Sequence, residues 1–252
     1  MPGYVTDGSP SRRRLGQHFL DSALLASRLV ADAGVDSRDR VVDFGAGTGL
    51  LTAALADRAA GVLAIELDPS LAQRLARRFE HTPNVIVMHA DVSDVPLPCT
   101  PYRVVANPPF ARTAAIVHRL LDDPAGGLVR ADLVVQWQVA RQRARVDQGP
   151  PADLLGATWG PWWRFTRGRR LPAASFNPRP AVDAAVLEIT RRAPSLLPAT
   201  EFGRYSAFVR DGFETRSDAP QVALRDWVER FGTRRRPGKQ GLHSPDPSAN
   251  MG

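Results

Sequence analysis

Between residues 40 and 137 the chain alternates short apolar runs with segments of helical spacing. Residues 40–44, 62–66, 84–89, 102–106 and 131–137 read as strands, and 49–59, 69–80 and 111–121 as helices. A strand, a helix and another strand commonly close as a parallel pair with a right-handed crossover. Repeated without interruption, the pattern predicts an α/β fold with a parallel sheet covered by helices on both faces. An earlier helix over 22–33 carries Leu24, Leu25, Leu29 and Val30 at helical spacing, with Asp21 and Ser22 as candidate caps and Gly34 as a stop. Beyond the alternation the reading gives a basic helix over 139–146 and a Gly/Pro loop over 148–156. An aromatic, basic stretch over 158–171 and a strand over 182–189 follow. Two C-terminal helices over 199–213 and 220–231 place Phe202, Tyr205, Phe208 and Val209 of the first on one face.

A chain of 252 residues with 43% hydrophobic content can bury one sizeable core and a small appended unit. The expected division is a basic arm over 1–14, a main domain over 15–190, a small helical unit over 191–232 and a disordered tail over 233–252. Cys99 is the single cysteine, so neither an intrachain disulfide nor a cysteine metal cluster can form. His81, His89, His118 and His243 have no metal-ligand spacing, and no metal is expected. The lone cysteine and the lack of an apolar signal core in 1–14 suggest a soluble protein of a reducing cytoplasm. The chain is read as a monomer with no membrane partner. Its formal net charge of +7 points instead to a polyanion.

The strand-to-helix junction Val41-Val42-Asp43-Phe44-Gly45-Ala46-Gly47-Thr48-Gly49 is the first functional signal. Glycines there let the backbone turn tightly and lie against a ligand. Glu66 ends the next strand, 21 residues after Gly45, where a carboxylate can accept both hydroxyls of a ribose. Two cofactors compete for this pocket. NAD usually accompanies G-x-G-x-x-G, which brings a pyrophosphate to the helix N-terminus. Here the third glycine comes one position early, and Asp43 puts negative charge where a pyrophosphate would lie. Both features suit the sulfonium and ammonium groups of S-adenosylmethionine better. Asp91, after the third strand, is either a turn or cap residue or an acceptor for an adenine amino group.

Asn107-Pro108-Pro109-Phe110 follows a fourth strand. Asn-Pro can simply end a strand, but beside a nucleoside pocket it acquires a chemical use. The lone pair of an exocyclic purine amine is delocalised into the ring. Acceptors aimed at its N–H groups, here Asn107 Oδ1 and the Pro108 carbonyl, pull the nitrogen towards tetrahedral geometry. Consecutive prolines restrict the backbone beforehand. Phe110 can stack on the base, worth ~1–3 kcal/mol by analogy with other base–aromatic pairs. The target must be unpaired or extruded, at a cost of a few kcal/mol.

With these motifs the chain resembles the Erm ribosomal RNA adenine-N6 methyltransferases, relatives of the small-subunit rRNA dimethyladenosine transferases. The resemblance rests on Leu15-Gly16-Gln17-His18-Phe19-Leu20, residues 43–49, Glu66, Asp91 and residues 107–110. Trp159-Gly160-Pro161-Trp162 and Phe176-Asn177-Pro178-Arg179-Pro180-Ala181-Val182-Asp183 complete it. It implies a Rossmann-like class I S-adenosylmethionine-dependent methyltransferase sheet with a small C-terminal helical domain. It implies that Gln17, His18 and Leu20 close over the methionine end of the cofactor and that Asp43, Gly45 and Gly47 pass beneath it. Glu66 and Leu67 would take the ribose side, Asp91 and Val92 the adenine, Asn107 both the cofactor and the target base, and Pro108 and Phe110 the target base. The family substrate is an adenine of 23S rRNA, free or in pre-ribosomal particles, and its methylation gives macrolide, lincosamide and streptogramin B resistance. The chain departs from the family at Pro108, where an aliphatic residue is usual, and at His18, where asparagine is usual. Asn-Pro-Pro-Phe is also a signature of DNA adenine and protein glutamine methyltransferases. A nucleic-acid-binding relative without turnover is the third alternative.

Arginine supplies nearly all the positive charge, Lys239 being the only lysine. Clusters fall at Arg12, Arg13 and Arg14, at Arg141, Arg143 and Arg145, and at Arg164, Arg167, Arg169 and Arg170. A further group covers 234–236. Arg12, Arg13, Arg14, Arg141, Arg143, Arg164 and Arg167 are the candidate RNA contacts, while Trp159, Trp162, Trp163 and Phe165 among them are expected to be core.

Overall fold

The structure, a computed structural model, describes residues 17–144, 154–215 and 223–231. The expected arm over 1–14, the end of the basic helix including Arg145, most of the Gly/Pro loop and the tail lie outside them. Strands β1 (Phe19–Leu20), β2 (Arg40–Phe44), β3 (Gly61–Glu66), β4 (Val85–His89) and β5 (Tyr102–Ala106) are followed by β6 (Leu128–Gln136), β7 (Trp163–Leu171), β8 (Phe176–Asn177) and β9 (Ala184–Arg191). Helices α1 (Ala23–Asp32), α2 (Leu50–Ala56), α3 (Pro69–Arg78) and α4 (Thr113–Leu121) alternate with the early strands. Then come α5 (Trp137–Arg143), α6 (Leu154–Trp159), α7 (Phe202–Thr215) and α8 (Ala223–Phe231).

Local chemistry accounts for several boundaries. Ser22 Oγ accepts the Leu25 amide at 3.3 Å and starts α1. Asp68 Oδ1 accepts the amides of Ser70 and Leu71 at 2.8 and 3.1 Å, Pro69 occupies the first turn of α3, and Arg77 and Arg78 face its negative end.

The main sheet has seven strands in the order β4-β3-β2-β5-β6-β9-β7. The pairs from β4 to β6 are parallel, as the alternation requires. β9 is inserted antiparallel between β6 and β7, which the alternation did not foresee. Residues 172–183 return the chain along the same rim without a crossover helix, so β9 must run backwards. Strand residues divide by parity between two apolar layers. Val42, Phe44, Val104, Leu133 and Leu187 belong to one, and Val41, Val62, Val105, Val134 and Val186 to the other.

Two boundaries differ from expectation. Residues 154–156 are helical, not loop. Ala157 and Trp159 of α6 are buried, and Tyr205 Oη of α7 donates to the Ala157 carbonyl at 3.0 Å. Tertiary packing overrides the helix-breaking signal of Gly156. Trp137 begins α5 rather than ending β6. The C-terminal helices join the first apolar layer: Tyr205 lies edge-on to Trp162 and to Trp227, with ring centroids 5.6 and 5.5 Å apart.

Trp159, Trp162, Trp163 and Phe165 are all core residues. The Arg191 guanidinium lies 4.7 Å above the Trp163 ring. Trp163→Ala is therefore expected to lower unfolding free energy by ~3–5 kcal/mol. Denaturant titration checks this, and a loss below ~1 kcal/mol would contradict the core assignment.

Candidate active site

In the sheet order, β2 is flanked by β3 on one side and β5 on the other, so the connections leave in opposite directions. A crevice opens at such a reversal, at the carboxyl ends of the strands. The glycine loop after β2 and the Asn-Pro-Pro-Phe turn after β5 both emerge there. They touch closely: a Cβ on Gly45 would stand 3.1 Å from Pro109 Cδ and 3.4 Å from Pro108 Cα. Gly45 and Gly47 have φ of +73° and +56°, values that side chains other than glycine's rarely accept.

Glu66, at the end of β3, is buried and fixed by backbone donors. Its Oε2 accepts the Gly47 amide and its Oε1 accepts the Asp68 amide, both at 2.9 Å. Each oxygen keeps a lone pair for another donor, which fits a pair of ribose hydroxyls. Glu66 and Leu67 line a cleft of about 260 Å³ with Gln17, Gly45, Asp91 and Val92. Its far wall is Pro109, Ala111, Arg112, Ala115 and Ile116. Polar groups of Gln17, Glu66 and Asp91 set among apolar side chains suit a nucleoside.

The segment 17–20 folds over this crevice because β1 pairs with β8, Phe19 with Asn177 and Leu20 with Phe176. The motifs at 17–20 and 176–183 are thus one structural unit. Phe19 covers the glycine loop so closely that a Cβ on Gly47 would lie 2.6 Å from its ring. Leu20 is buried in the second apolar layer. His18 Nδ1 lies 2.7 Å from the Pro178 carbonyl oxygen, and its ring centroid is 5.4 Å from that of Phe110. Gln17 is buried with its Oε1 unpartnered, at the edge of the cleft.

Asn107 Nδ2 donates to the His18 carbonyl at 2.8 Å. Its orientation is thereby set, and its Oδ1 is left buried without a hydrogen-bond partner. A buried acceptor without a donor is costly, roughly 1–3 kcal/mol, and such atoms in native proteins call for a ligand or a water. Phe110 is half-buried and held edge-on by Phe176, with centroids 6.5 Å apart. Pro108 is buried beneath the turn.

Asp91 lines the same cleft as Glu66. The Ser93 amide, which it accepts at 2.9 Å, and the nearby Arg112 guanidinium hold its carboxyl below the usual range. Asp91 Oδ2 is ion-paired with Arg112, the residue two past Phe110. This link between the two halves of the site carries no sequence signal, because the partners are 21 residues apart on separate loops. Phe19 and Phe176 were likewise missed as wall residues, although both lie within motifs already singled out.

Asp43 is fully buried, and Thr52 Oγ1 donates to its Oδ2 at 2.7 Å. It does not line the large cleft. It borders a second cavity of about 20 Å³ with Phe19, Leu20, Gly45 and Asn107. Burial pushes its carboxyl up to about 7, and the charge of Glu66 adds to the effect against the Thr52 hydrogen bond.

Among the candidate RNA contacts, Arg141 and Arg143 lie on α5, and Arg164 and Arg167 on β7. Arg141, Arg164 and Arg167 are exposed. Arg12, Arg13 and Arg14 fall outside the described residues. Among the described residues no helix is long and apolar enough to cross a membrane.

Fold and crevice together define an α/β protein of the nucleoside-cofactor type, with the Asn-Pro-Pro-Phe turn beside the cleft. The comparison with known proteins narrows this. Residues 8–225 match the family described as ribosomal RNA adenine dimethylase. The chain belongs to that family. It is 37% identical over 200 residues to the mycinamicin-resistance protein MyrB of Micromonospora griseorubida, covering 79% of this chain and 62% of that protein. It is 33% identical over 205 residues to an rRNA adenine N-6-methyltransferase of Corynebacterium diphtheriae, covering 81% of this chain and 78% of that protein. Among solved structures, the 23S rRNA methyltransferase ErmE superposes with a TM-score of 0.70 at 31% identity, over 84% of this chain and 86% of that one.

The buried Asp43 carboxyl yields a test of the site. Its folded pKa of about 7 exceeds the ordinary 3.8. The folded state therefore holds this proton more tightly than the unfolded state, and stability falls as pH rises from about 4 to about 7. Unfolding free energy measured at pH 5 and pH 8 should fall more in the native chain than in Asp43→Asn. Parallel pH profiles would refute the assignment.

Proposed function

We propose that the chain is an S-adenosylmethionine-dependent methyltransferase acting on the N6 amine of an adenine in 23S rRNA. The observation that carries the proposal is the buried, unpartnered Oδ1 of Asn107, set by its own Nδ2 bond at the seam between the two loops. Membership of the ribosomal RNA adenine dimethylase family supports the substrate class. Resistance to macrolide, lincosamide and streptogramin B antibiotics is the proposed consequence, supported by likeness to a mycinamicin-resistance protein.

The residues present fit the cofactor. Glu66 has two free lone pairs for ribose hydroxyls, Leu67 and Val92 offer apolar contact, and Asp91 stands at the adenine end. Gln17 Oε1 is an unpaired acceptor at the edge of the cleft. Asp43 lies off that cleft and favours its neutral form, so the negative charge expected of it there is not part of the fit. When bound, the cofactor supplies an electrophilic methyl group on a sulfonium. This chain does the rest by positioning. Asn107 Oδ1 accepts one N–H of the target amine and the Pro108 carbonyl accepts the other, so the nitrogen lone pair points into the crevice. Phe110, braced by Phe176 and His18, stacks on the extruded base. The alkylated nitrogen is strongly acidic and loses its proton to water or a backbone carbonyl. Catalysis on this account is alignment of an in-line displacement.

We assign RNA docking to Arg141, Arg143, Arg164 and Arg167 with Arg12, Arg13 and Arg14. The substrate is proposed to be protein-free rRNA or a pre-ribosomal particle, met in the cytoplasm by a monomer. The division into an arm, a catalytic domain over 15–190, a helical docking unit over 191–232 and a tail belongs to the same proposal. Pro108 alone favours a second reading, methylation of DNA adenine or protein glutamine.

Labelled cofactor offered separately with protein-free 23S rRNA, duplex DNA and ribosomal protein decides between them. Label is expected in RNA; label in DNA or protein alone would reject the proposal. Asn107→Ala should keep cofactor affinity within severalfold of wild type and lose turnover by about two orders of magnitude or more, as when a positioned hydrogen-bonding group is removed. Unchanged turnover would remove Asn107 from the mechanism.

A further inference from the structure

Trp137 opens α5 directly after β6, on the rim that carries the active site. Ala106, the last residue of β5, is level with Leu133 of β6. Asn107 and Trp137 therefore leave adjacent strands, offset along the strand direction by on the order of 10 Å. The Trp137 ring is partly exposed and has two guanidinium neighbours. Arg167 and Arg170 lie 4.6 and 4.8 Å from its centroid.

Simple strand alternation forbids this arrangement. Trp163 and Phe165 of β7 point into the first apolar layer. Arg167 continues their face, and Arg170, three residues on, belongs on the other. A bulge reverses the parity. Arg167 is level with Leu187 and Arg170 with Ala185, so three steps on β7 match two on β9. Both arginines therefore emerge on the face against which α5 packs, while Leu171 turns to the opposite layer. Gly168 lies within the bulge, where a Cβ would stand 2.3 Å from Glu188 Oε1.

The two guanidiniums differ in charge balance. Arg170 Nη2 and Nε both donate to Asp183 Oδ2, at 2.7 and 3.0 Å. The Asp183 carbonyl accepts the Trp137 amide at 2.9 Å, which ties the stack to the loop over 178–183. Among the described residues Arg167 has no carboxylate within ion-pair distance. Among the described residues this positive charge is thus uncompensated, and it is held over an indole by an exposed side chain. Stacking removes much of the rotamer freedom that a solvated arginine would lose on binding.

We propose that Trp137, Arg167 and Arg170 form a docking platform for an unpaired RNA nucleotide next to the target adenine. The phosphate is received on the N–H edge of Arg167 and the base is stacked on the guanidinium–indole layer. This rests on the RNA methyltransferase reading above. It extends that reading by naming Trp137, which packing statistics would place in the core, as a positioning residue for substrate. Arg141, one helical turn along α5 and exposed, extends the positive edge.

The test uses the full chain, protein-free 23S rRNA and labelled cofactor. Trp137→Leu keeps an apolar side chain against the core and removes the aromatic ring. It should raise KM for RNA by about tenfold, the scale of one lost base–aromatic stack. The maximal rate should stay within about twofold, and cofactor affinity and melting temperature should be unchanged. Arg167→Met should reduce the slope of log affinity against log salt by about one, the signature of one lost phosphate contact. Wild-type turnover on RNA with an unaltered KM in Trp137→Leu, or an unaltered salt slope in Arg167→Met, overturns the platform and leaves the enzymatic reading intact. Wild-type protein that labels DNA or protein instead of RNA overturns both. A Trp137→Leu chain with a lowered melting temperature is judged by Arg167→Met, whose exposed side chain is not part of the core.

Discussion

The adjacency of β2 and β5 is the constraint on which the site depends. These strands are far apart in sequence, yet their parallel pairing sets Val42 level with Val104 and brings both carboxyl ends to one crevice. The chain then leaves β2 towards β3 and leaves β5 towards β6, so no connection covers the opening. A Cβ on Gly45 would crowd the double proline, and its φ of +73° also favours glycine. A glycine-lined floor and a rigid turn meet at one seam as a consequence of backbone pairing, before any side chain is considered.

Around that seam, polar groups are satisfied selectively. Glu66 accepts two amides and is rigid, which suits a group that must meet two hydroxyls at defined positions. Asn107 has its donor side satisfied and its acceptor side left open. Asp43 is further from ease: burial opposes its charge, and among the described residues only Thr52 donates to it. Such half-satisfied buried groups oppose folding, and the unpaired acceptors of Gln17, Asp43 and Asn107 border the same crevice. The Asp91–Arg112 pair adds a bridge from the nucleoside end of the cleft to the turn that carries Phe110.

The positive charge of the chain acquires direction from the fold. Arg169 pairs with Asp32 and Arg170 with Asp183, so part of the arginine cluster on β7 is internally neutralised. The bulge then separates roles that are indistinguishable in the string Arg167-Gly168-Arg169-Arg170. It sends Arg167 and Arg170 to Trp137 on one face and leaves Arg169 to α1. Tryptophans sort in the same way: Trp159, Trp162 and Trp163 fill the core and knit the C-terminal helices to the sheet, while Trp137 lies at the rim.

The sequence by itself determined the alternating elements, the glycine turn, the carboxylate at the end of the next strand and the Asn-Pro-Pro-Phe turn. Each of these is a local matter of side-chain period, φ preference or capping, legible within a few residues. It also marked 17–20 and 176–183 without revealing that they pair as β1 and β8. Tertiary structure alone decided the antiparallel course of β9, the helix over residues 154–156, the Asp91–Arg112 bridge and the face on which Arg170 emerges. Those outcomes depend on contacts between residues distant in the chain, and on a single inserted residue that inverts strand parity. A periodic pattern read along one strand cannot contain its partner's register.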